Sequence, residues 1–143
     1  MTIRPISARV PRLAGPALAF FLAAAPGAMA ACSDPAGPGV DWSGCNLTDA
    51  ILTDADLTNA NLTDANLTRA NLTDATLGWA DLTTANLTGA NLTRAHFGAS
   101  ILVYATLKGA NLTDVDWGEV DLRGATWTDG HICAETSPFG ACD

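Results

Sequence analysis

Residues 45 to 134 repeat every five positions, and this period constrains the fold more than any other feature of the chain. A large apolar residue, usually leucine, occupies one position of each unit, and alanine usually lies two positions before it. In an α-helix, five steps of about 100° would spread the leucines around the whole surface. In a flat strand, an odd period would place successive leucines on opposite faces. The period therefore predicts a chain that bends every five residues and stacks in coils, with leucine and alanine facing inward.

The residue after each central apolar position indicates how many units close one coil. It is usually threonine, but it is glycine at three positions spaced twenty residues apart, namely Gly78, Gly98 and Gly118. Twenty residues correspond to four units, so we expect a square cross-section. We also expect Leu77, Phe97 and Trp117 to stack on one inner face. Glycine directly after a large ring should let the backbone turn relax where a branched threonine would restrict it.

The charges also follow the 20-residue register. Arg69 falls beside Asp49, and Arg94 falls between Asp74 and Asp114 in adjacent coils, as opposite charges do in cross-strand pairs. The whole chain has a formal charge of −8 and only 15% charged residues. An acidic chain of this kind lacks the basic face that binding to a phosphate backbone requires, so we expect no direct nucleic-acid binding.

The first thirty residues have the layout of a secretory signal. Three arginines precede the uncharged stretch from Leu13 to Ala30, which ends in the small-residue pattern of Ala28 and Ala30. We expect cleavage after Ala30 and a secreted or periplasmic protein with four basic and fifteen acidic residues, a charge of −11. One alternative is a lipoprotein anchored at Cys32. A transmembrane anchor is the other, although Pro16 and Pro26 interrupt the short apolar stretch.

The units "ANLTD", "ANLTR", "ADLTN" and "ADLTT" resemble the pentapeptide-repeat pattern A-[DN]-L-x-x. The resemblance extends over residues 45 to about 134 and implies an all-β fold, a right-handed quadrilateral β-helix of about 4.5 coils. It also implies that the central residue and the small residue two before it point inward, while the other three face solvent. The cysteine-bearing flanks resemble those of exported bacterial members.

The four cysteines lie in two pairs at the two ends of the repeats, and an even count in an exported chain indicates disulfides. We expect Cys32–Cys45 and Cys133–Cys142 to tie two end caps, because a solenoid exposes its core at both ends. The expected organisation is a signal peptide at 1–30, an N-terminal cap at 31–45, the β-helix at 45–134 and a C-terminal cap at 133–143. Trp42 and Phe139 would each lay a ring over an end coil.

No catalytic, cofactor or metal site is expected from the sequence. His131 with Cys133 and Cys142 is an incomplete zinc set, and in an exported chain a disulfide explains the cysteines better. Ser100 replaces an inward alanine, so it is expected to be a buried small residue. Four apolar residues at outward positions form a candidate partner-binding patch: Trp79, Ile101, Val103 and Tyr104.

The sequence is consistent with two functions. The first is a non-enzymatic exported scaffold that presents an acidic β-helical surface to an unknown macromolecular partner, with no membrane span after cleavage. The second is an acidic DNA mimic that inhibits a type II topoisomerase, as the resemblance implies for some members of the family. The high negative charge suits the second function. The export signal and the C-terminal cysteine loop favour the first.

Overall fold

The computed structural model describes residues 32–134 and residue 142. Within them there is no helix, and no strand is longer than a single bridge. Every fifth residue from Asp41 to Thr126 forms a parallel β-bridge with the residue twenty positions away, beginning with Asp41 and Asn61. The coil therefore closes after four units, and the square cross-section predicted from the glycine spacing is present.

Each side of the square is one stack of central residues at successive levels of the coil. We number the sides in chain order from the first unit. The first face is built on Trp42, Leu62, Leu82, Leu102 and Leu122; the second on Leu47, Leu67, Leu87, Leu107 and Trp127; the third on Leu52, Leu72, Leu92 and Leu112; and the fourth on Leu57, Leu77, Phe97 and Trp117.

A tight turn forms each corner between two faces. In the unit at Leu87, the Ala90 N–H donates to the Leu87 carbonyl at 3.0 Å, which closes the turn. The third turn residue takes the left-handed conformation in nearly every unit, as in Asp49 with φ 58° and Asn59 with φ 59°. Asp, Asn and Gly adopt this conformation at low cost, which explains why they are common at this position.

Leucine and alanine fill the interior as predicted. From Leu57 to Leu107 every central residue is fully buried, and the alanines at the inward positions from Ala60 to Ala105 are buried as well. Burial of each leucine contributes roughly 1.5–3 kcal/mol of free energy. Phe97 stacks on Trp117 with ring centroids 5.3 Å apart, and Trp127 lies 5.4 Å from Trp117. These rings close the C-terminal end of the core.

The outward Asn and Thr side chains are bonded rather than merely solvated. In the unit at Leu87, the Thr88 backbone N–H and hydroxyl both donate to the side-chain oxygen Oδ1 of Asn86, at 3.0 and 2.6 Å. Between coils, the Asn91 amide donates to the Thr73 hydroxyl at 2.9 Å. The recurrent Asn-Leu-Thr triplet therefore supplies a side-chain acceptor that fixes the start of each turn.

The turns at Gly78, Gly98 and Gly118 agree with the predicted role of glycine only in part. Gly78 and Gly98 do not have positive φ; Trp79 and Ala99, which follow them, take the left-handed conformation as in other units. Gly118 itself has φ 50°, and a Cβ there would lie 3.0 Å from the Gly98 Cα. The glycine beside a large ring thus relieves the turn at Trp117 alone, and the explanation for Gly98 is wrong.

Both ends of the coil differ from the sequence expectation by one unit. Val40 and Trp42 are inward residues of an additional first unit, and Trp42 is 2% exposed. The coil therefore extends into the segment 31–45 that was expected to form the cap. At the other end Ile132 is 62% exposed and pairs antiparallel with Thr126. The five-residue spacing predicts an inward position for Ile132, and this prediction is wrong, because the chain reverses after Thr128 and buries Cys133 instead.

The structure contains both expected disulfides. Cys32 is bonded to Cys45 with Cα atoms 5.5 Å apart, and Cys133 is bonded to Cys142 with Cα atoms 4.9 Å apart. The expected signal peptide and Phe139 lie outside the described residues. Over 32–134 and at 142, the chain forms no helix that is long and apolar enough to cross a membrane.

Candidate functional site

The four residues of the candidate patch lie on or beside the first face. Ile101 is in the outward column of that face, and Val103 and Tyr104 form the corner that follows it. Trp79 lies one coil earlier, at the corner that precedes the first face. Trp79 is 70% exposed, Tyr104 55% and Ile101 41%, while Val103 is half-buried. The coil therefore places an aromatic side chain at each edge of one face.

Trp79 and Tyr104 both adopt a backbone conformation that bulky residues avoid. Their φ angles are 61° and 58°, and their N–H groups donate to the carbonyls of Gly98 and Arg123, each at 3.0 Å. Non-glycine residues in the left-handed region cost on the order of 1–3 kcal/mol, and the surrounding structure must impose them. The coil fixes these turns whatever the side chain, so the two aromatic residues are held on a rigid backbone.

The corner around Trp79 lacks bulky neighbours. Asn59 and Ala99 precede and follow Trp79 in the same column, and Gly78, Gly98 and Gly118 form the adjacent column. A Cβ built at Gly98 would meet no atom within 4 Å, so the surface there is open. The glycines that the turn geometry does not require therefore leave one side of the Trp79 ring accessible.

Carboxylates surround the apolar residues. Ile101 lies between Asp81 and Asp121 in the outward column of the first face. Asp81 accepts from the Thr83 N–H at 2.9 Å, and Asp64, two coils before Tyr104 in the same corner column, accepts from the Thr84 hydroxyl. The Arg123 side chain donates to Asp121 at 2.6 Å and keeps the pKa of that carboxyl below its usual value. The surroundings of the patch are thus mainly acidic.

Elsewhere the predicted charge stacking is present at the corners that follow the second and the third face. Arg69 donates to both oxygens of Asp49 at 2.8 and 2.7 Å, and Arg94 does the same to Asp74 at 2.7 and 2.6 Å. Hydrogen bonds from the arginines lower the pKa of both aspartates. These pairs neutralise part of the surface away from the first face.

The residues of the rejected metal set do come together. His131 Nε2 lies 3.2 Å from Cys142 Sγ, and His131 Nδ1 lies 2.5 Å from Asp129 Oδ1. Cys142 is bonded to Cys133, and the described residues contain no cluster of His, Cys, Asp and Glu that could hold a metal ion. Ser100 is 1% exposed, as predicted, and its hydroxyl has no hydrogen-bond partner among the described residues.

Two exposed apolar residues and one side-chain contact, between Asp129 and His131, were not predicted from the sequence. Ile51 is 74% exposed in the otherwise Asn-bearing column of the third face, and Ile132 is exposed because of the chain reversal. Ile51 could have been found, since it breaks the [DN] pattern before a central leucine. The contact of Asp129 with His131 could also have been found, because an aspartate two residues before a polar partner recurs in the units.

The chain is similar to known proteins that are built from five-residue repeats. The family described as pentapeptide repeats matches residues 38–64, 50–89 and 90–128. Among solved structures, HetL from the cyanobacterium Nostoc sp. strain PCC 7120 is 40% identical with a TM-score of 0.64. It is a pentapeptide repeat protein involved in heterocyst differentiation regulation. The alignment covers 65% of this chain and 43% of that one.

Two further structures show the same fold. A pentapeptide repeat protein from the Arabidopsis thaliana thylakoid lumen is 33% identical with a TM-score of 0.62, covering 66% of each chain. The pentapeptide repeat protein Rfr23 from the cyanobacterium Cyanothece 51142 is 34% identical with a TM-score of 0.50, covering 62% of this chain and 64% of that one. The chain thus spans less than two thirds of the length of each relative, and no curated protein matches it.

Proteins with these repeats form right-handed quadrilateral β-helices and are generally non-enzymatic structural or interaction proteins. The present chain has the same five-residue register, the same four-sided stacking of coils and an interior of leucine and alanine. Together with the match over residues 38–128, these features show that the chain belongs to the pentapeptide repeat family.

Proposed function

We propose that the protein is a non-enzymatic exported scaffold that binds a macromolecular partner through the surface around Trp79, Ile101, Val103 and Tyr104. The observation that carries this proposal is the exposure of two aromatic side chains, 70% and 55%, on left-handed turns that the coil imposes. Tryptophan and tyrosine are the residues that most often dominate the free energy of binding at protein interfaces. Rigid backbone lowers the entropy that such residues lose on binding.

The charge around the patch supports a polypeptide partner with basic side chains. Asp81 and Asp121 flank Ile101, and Asp64 lies two coils before Tyr104 in the same corner column. Arg123 is the one basic residue of the described chain within the first-face columns. Lysine and arginine are attracted both to carboxylates and to the faces of tryptophan and tyrosine rings. A basic segment would therefore find an apolar contact and opposite charges together.

Export is part of the proposal and is supported by the layout of residues 1–30 and by the cysteines. Disulfides persist in oxidising compartments and are rare in the cytosol of most organisms. The structure has two of them, Cys32–Cys45 and Cys133–Cys142. Secretion or release into a periplasm would fit both features, and a lipid anchor at Cys32 would compete with the first disulfide for the same sulfur.

The alternative function is a DNA mimic that inhibits a type II topoisomerase, and it is supported by the acidic composition alone. The expected charge after cleavage is −11, from four basic and fifteen acidic residues. The outward columns of the second and third faces are largely neutral asparagine and threonine, and the adjoining aspartates Asp49 and Asp74 are paired with arginine. A continuous negative surface of the kind that DNA presents is therefore limited to the other two faces.

The experiment compares three proteins in capture from the exported fraction of producing cells. The immobilised proteins are wild type, the Trp79→Ala/Tyr104→Ala variant and the Ile51→Ala variant. The affinity of each captured protein for each of these three is then measured. We expect a basic partner whose affinity falls about 30-fold or more in the double variant. Ile51→Ala is the control, since it removes an exposed apolar residue from the opposite face. Equal affinity for all three proteins contradicts the proposed site.

A supercoiling assay separates the two functions. We expect the purified protein to leave the activity of a bacterial type II topoisomerase unchanged at concentrations that saturate the captured partner. Inhibition that persists in the Trp79→Ala/Tyr104→Ala variant would support the DNA mimic in place of the scaffold.

A further inference from the structure

Asp129, His131 and Cys142 lie in consecutive contact at the C-terminal end, and Cys142 belongs to the second disulfide. His131 Nδ1 lies 2.5 Å from Asp129 Oδ1, and His131 Nε2 lies 3.2 Å from Cys142 Sγ. The turn that carries them is held by backbone bonds from Gly130 N–H to the Trp127 carbonyl at 3.0 Å and from Trp127 N–H to the His131 carbonyl at 2.8 Å. The histidine is thus placed between a carboxylate and a sulfur atom by a short, bonded loop.

The carboxylate determines which ring nitrogen faces the sulfur as a base. Asp129 also accepts from the His131 backbone N–H at 3.1 Å, and hydrogen bonds from the backbone and ring of His131 lower the pKa of Asp129. An ionised carboxylate only accepts, so it requires a proton on Nδ1. In the neutral ring the lone pair is then on Nε2, which points at Cys142. This is the order of carboxylate, imidazole and nucleophile found in hydrolase triads.

We propose that Asp129, His131 and Cys142 form a thiol–disulfide exchange site, through which the Cys133–Cys142 disulfide closes and opens with low-molecular-weight disulfides and thiols. His131 is the base for the Cys142 thiol, and Asp129 is a positioning residue that holds the imidazole. The site goes beyond the scaffold function, because it acts on the protein's own disulfide and needs no macromolecular partner.

Closure proceeds in two exchanges. His131 Nε2 takes the proton of the Cys142 thiol, and the thiolate attacks one sulfur of the external disulfide. This forms a mixed disulfide on Cys142 and expels a thiolate, which takes the proton back from His131. Cys133 sulfur then attacks Cys142 Sγ, forms the internal disulfide and releases a second external thiol that carries away the Cys133 proton. Two cysteines are oxidised, and one external disulfide is reduced to two thiols.

Opening follows the same path in reverse, and burial determines which sulfur is attacked. Cys133 is completely buried, whereas Cys142 is half-buried. An external thiolate therefore attacks Cys142 Sγ and expels Cys133. Cys133 stays attached to the coil by its N–H bond to the Ala125 carbonyl at 2.8 Å and by its carbonyl, which accepts from Gly124 N–H at 3.1 Å. Exchange thus releases the link to Cys142 while the end of the coil keeps its backbone bonds.

The first test measures alkylation of Cys142 by iodoacetamide in a Cys133→Ala variant, with Cys32–Cys45 left oxidised. The described groups that face the His131 ring and titrate are Asp129 and Cys142, so the rate is followed between about pH 5 and pH 9. Adding His131→Gln should slow alkylation at pH 7 about tenfold and move the apparent pKa of Cys142 up towards about 8.5. Adding Asp129→Asn should move it part of the way.

The matched control is His96→Gln, which removes the other histidine of the chain, located 3.5 Å from Asp116 on the fourth face. It should leave the rate and the pH profile of Cys142 alkylation unchanged. An unchanged rate and profile in His131→Gln would overturn the proposal, as would an equal effect of His96→Gln.

A second measurement uses the chain with all four cysteines, so that the test does not depend on the folding of Cys133→Ala. The protein is placed in a buffer of reduced and oxidised glutathione, quenched with acid, and the two disulfides are counted by mass spectrometry. We expect His131→Gln to slow exchange at Cys133–Cys142 about tenfold and to leave exchange at Cys32–Cys45 unchanged. Equal rates at Cys133–Cys142 in wild type and variant would contradict the assigned base.

Discussion

The backbone N–H of Leu87 donates to the carbonyl oxygen of Thr106 at 2.7 Å, yet the side chains of the two residues lie on opposite sides of the coil wall. Leu87 is completely buried, whereas Thr106 stands in the outward column between Asn86 and Thr126. Two directly bonded residues therefore test the inward and outward assignment at one place in the molecule.

Replacing Leu87 with aspartate should unfold the coil, because a carboxylate at that position is buried without a partner. Replacing Thr106 with aspartate should change the free energy of unfolding by no more than about 0.5 kcal/mol. Aspartate occurs naturally at that position of the unit, where Asp56 accepts from the Thr58 N–H at 3.0 Å. Thermal unfolding followed by circular dichroism measures both variants. A similar loss of stability in the two would contradict the four-sided core.

The left-handed turns at Trp79 and Tyr104 predict a gain of stability on substitution. Trp79→Asn and Tyr104→Asn should each raise the free energy of unfolding by about 0.5–1 kcal/mol, since asparagine takes positive φ at lower cost. The reciprocal control is Asn59→Trp in the same column, where φ is 59° and destabilisation is expected. Chemical denaturation measures all three. A loss of stability in Trp79→Asn would show that its ring contributes packing that outweighs the strain.

The ion pairs Arg69–Asp49 and Arg94–Asp74 predict a small dependence of stability on acid. Hydrogen bonds from Arg69 and Arg94 lower the pKa of Asp49 and Asp74 below 3.8 in the folded protein. The stabilisation is therefore complete above the unfolded pKa and is lost as the pH falls through the lower folded pKa. Both pairs are exposed, so the effect is small and decreases with salt.

Melting temperatures between about pH 5 and pH 2 measure this dependence. The Arg69→Gln/Arg94→Gln variant should lose less stability over that interval than wild type. Lys108→Gln is the control, because it removes a positive charge outside these two pairs. If the melting temperature of the double variant falls with pH as steeply as that of wild type, the arginine pairs do not cause the dependence on acid.

Export predicts a defined N-terminus for the mature protein. Edman sequencing or intact mass measurement should give Ala31 as the first residue, because Ala28 and Ala30 occupy the positions that a signal peptidase reads. A mature protein that begins at Met1 would contradict export. A lipid-modified Cys32 would instead support the lipoprotein alternative and would exclude the Cys32–Cys45 disulfide.

The interior of this fold follows from the sequence because its period has one physical solution. The leucines cannot all be buried by a helix or a flat strand, and the spacing of Gly78, Gly98 and Gly118 sets the coil at twenty residues. The positions of the ends could not be predicted from the period. Trp42 and Ile132 fit the spacing equally well, but Trp42 is 2% exposed and Ile132 is 62% exposed, because the backbone reversal after Thr128 is not encoded in the repeat.

The surface was predicted less completely than the core. Spacing alone placed Trp79 and Tyr104 on outward positions, but it did not show that threonine after each leucine bonds to the preceding asparagine, as Thr88 does to Asn86. The relay from Asp129 through His131 to Cys142 depends on the same chain reversal that displaced Ile132. Sequence period determines which side of the wall a residue faces, whereas contacts at the irregular end require the three-dimensional path of the chain.

Site-specific photo-cross-linking tests the central functional claim most directly. A photoreactive phenylalanine derivative is introduced at Trp79 and Tyr104, beside the first face, and at Ile51 and Lys108 on other sides of the coil. After irradiation of producing cells, we expect the same discrete protein to be cross-linked from positions 79 and 104 and absent from positions 51 and 108. Cross-linking of that protein with equal yield from all four positions, or from 51 and 108 alone, would contradict the assignment of the binding surface to Trp79 and Tyr104.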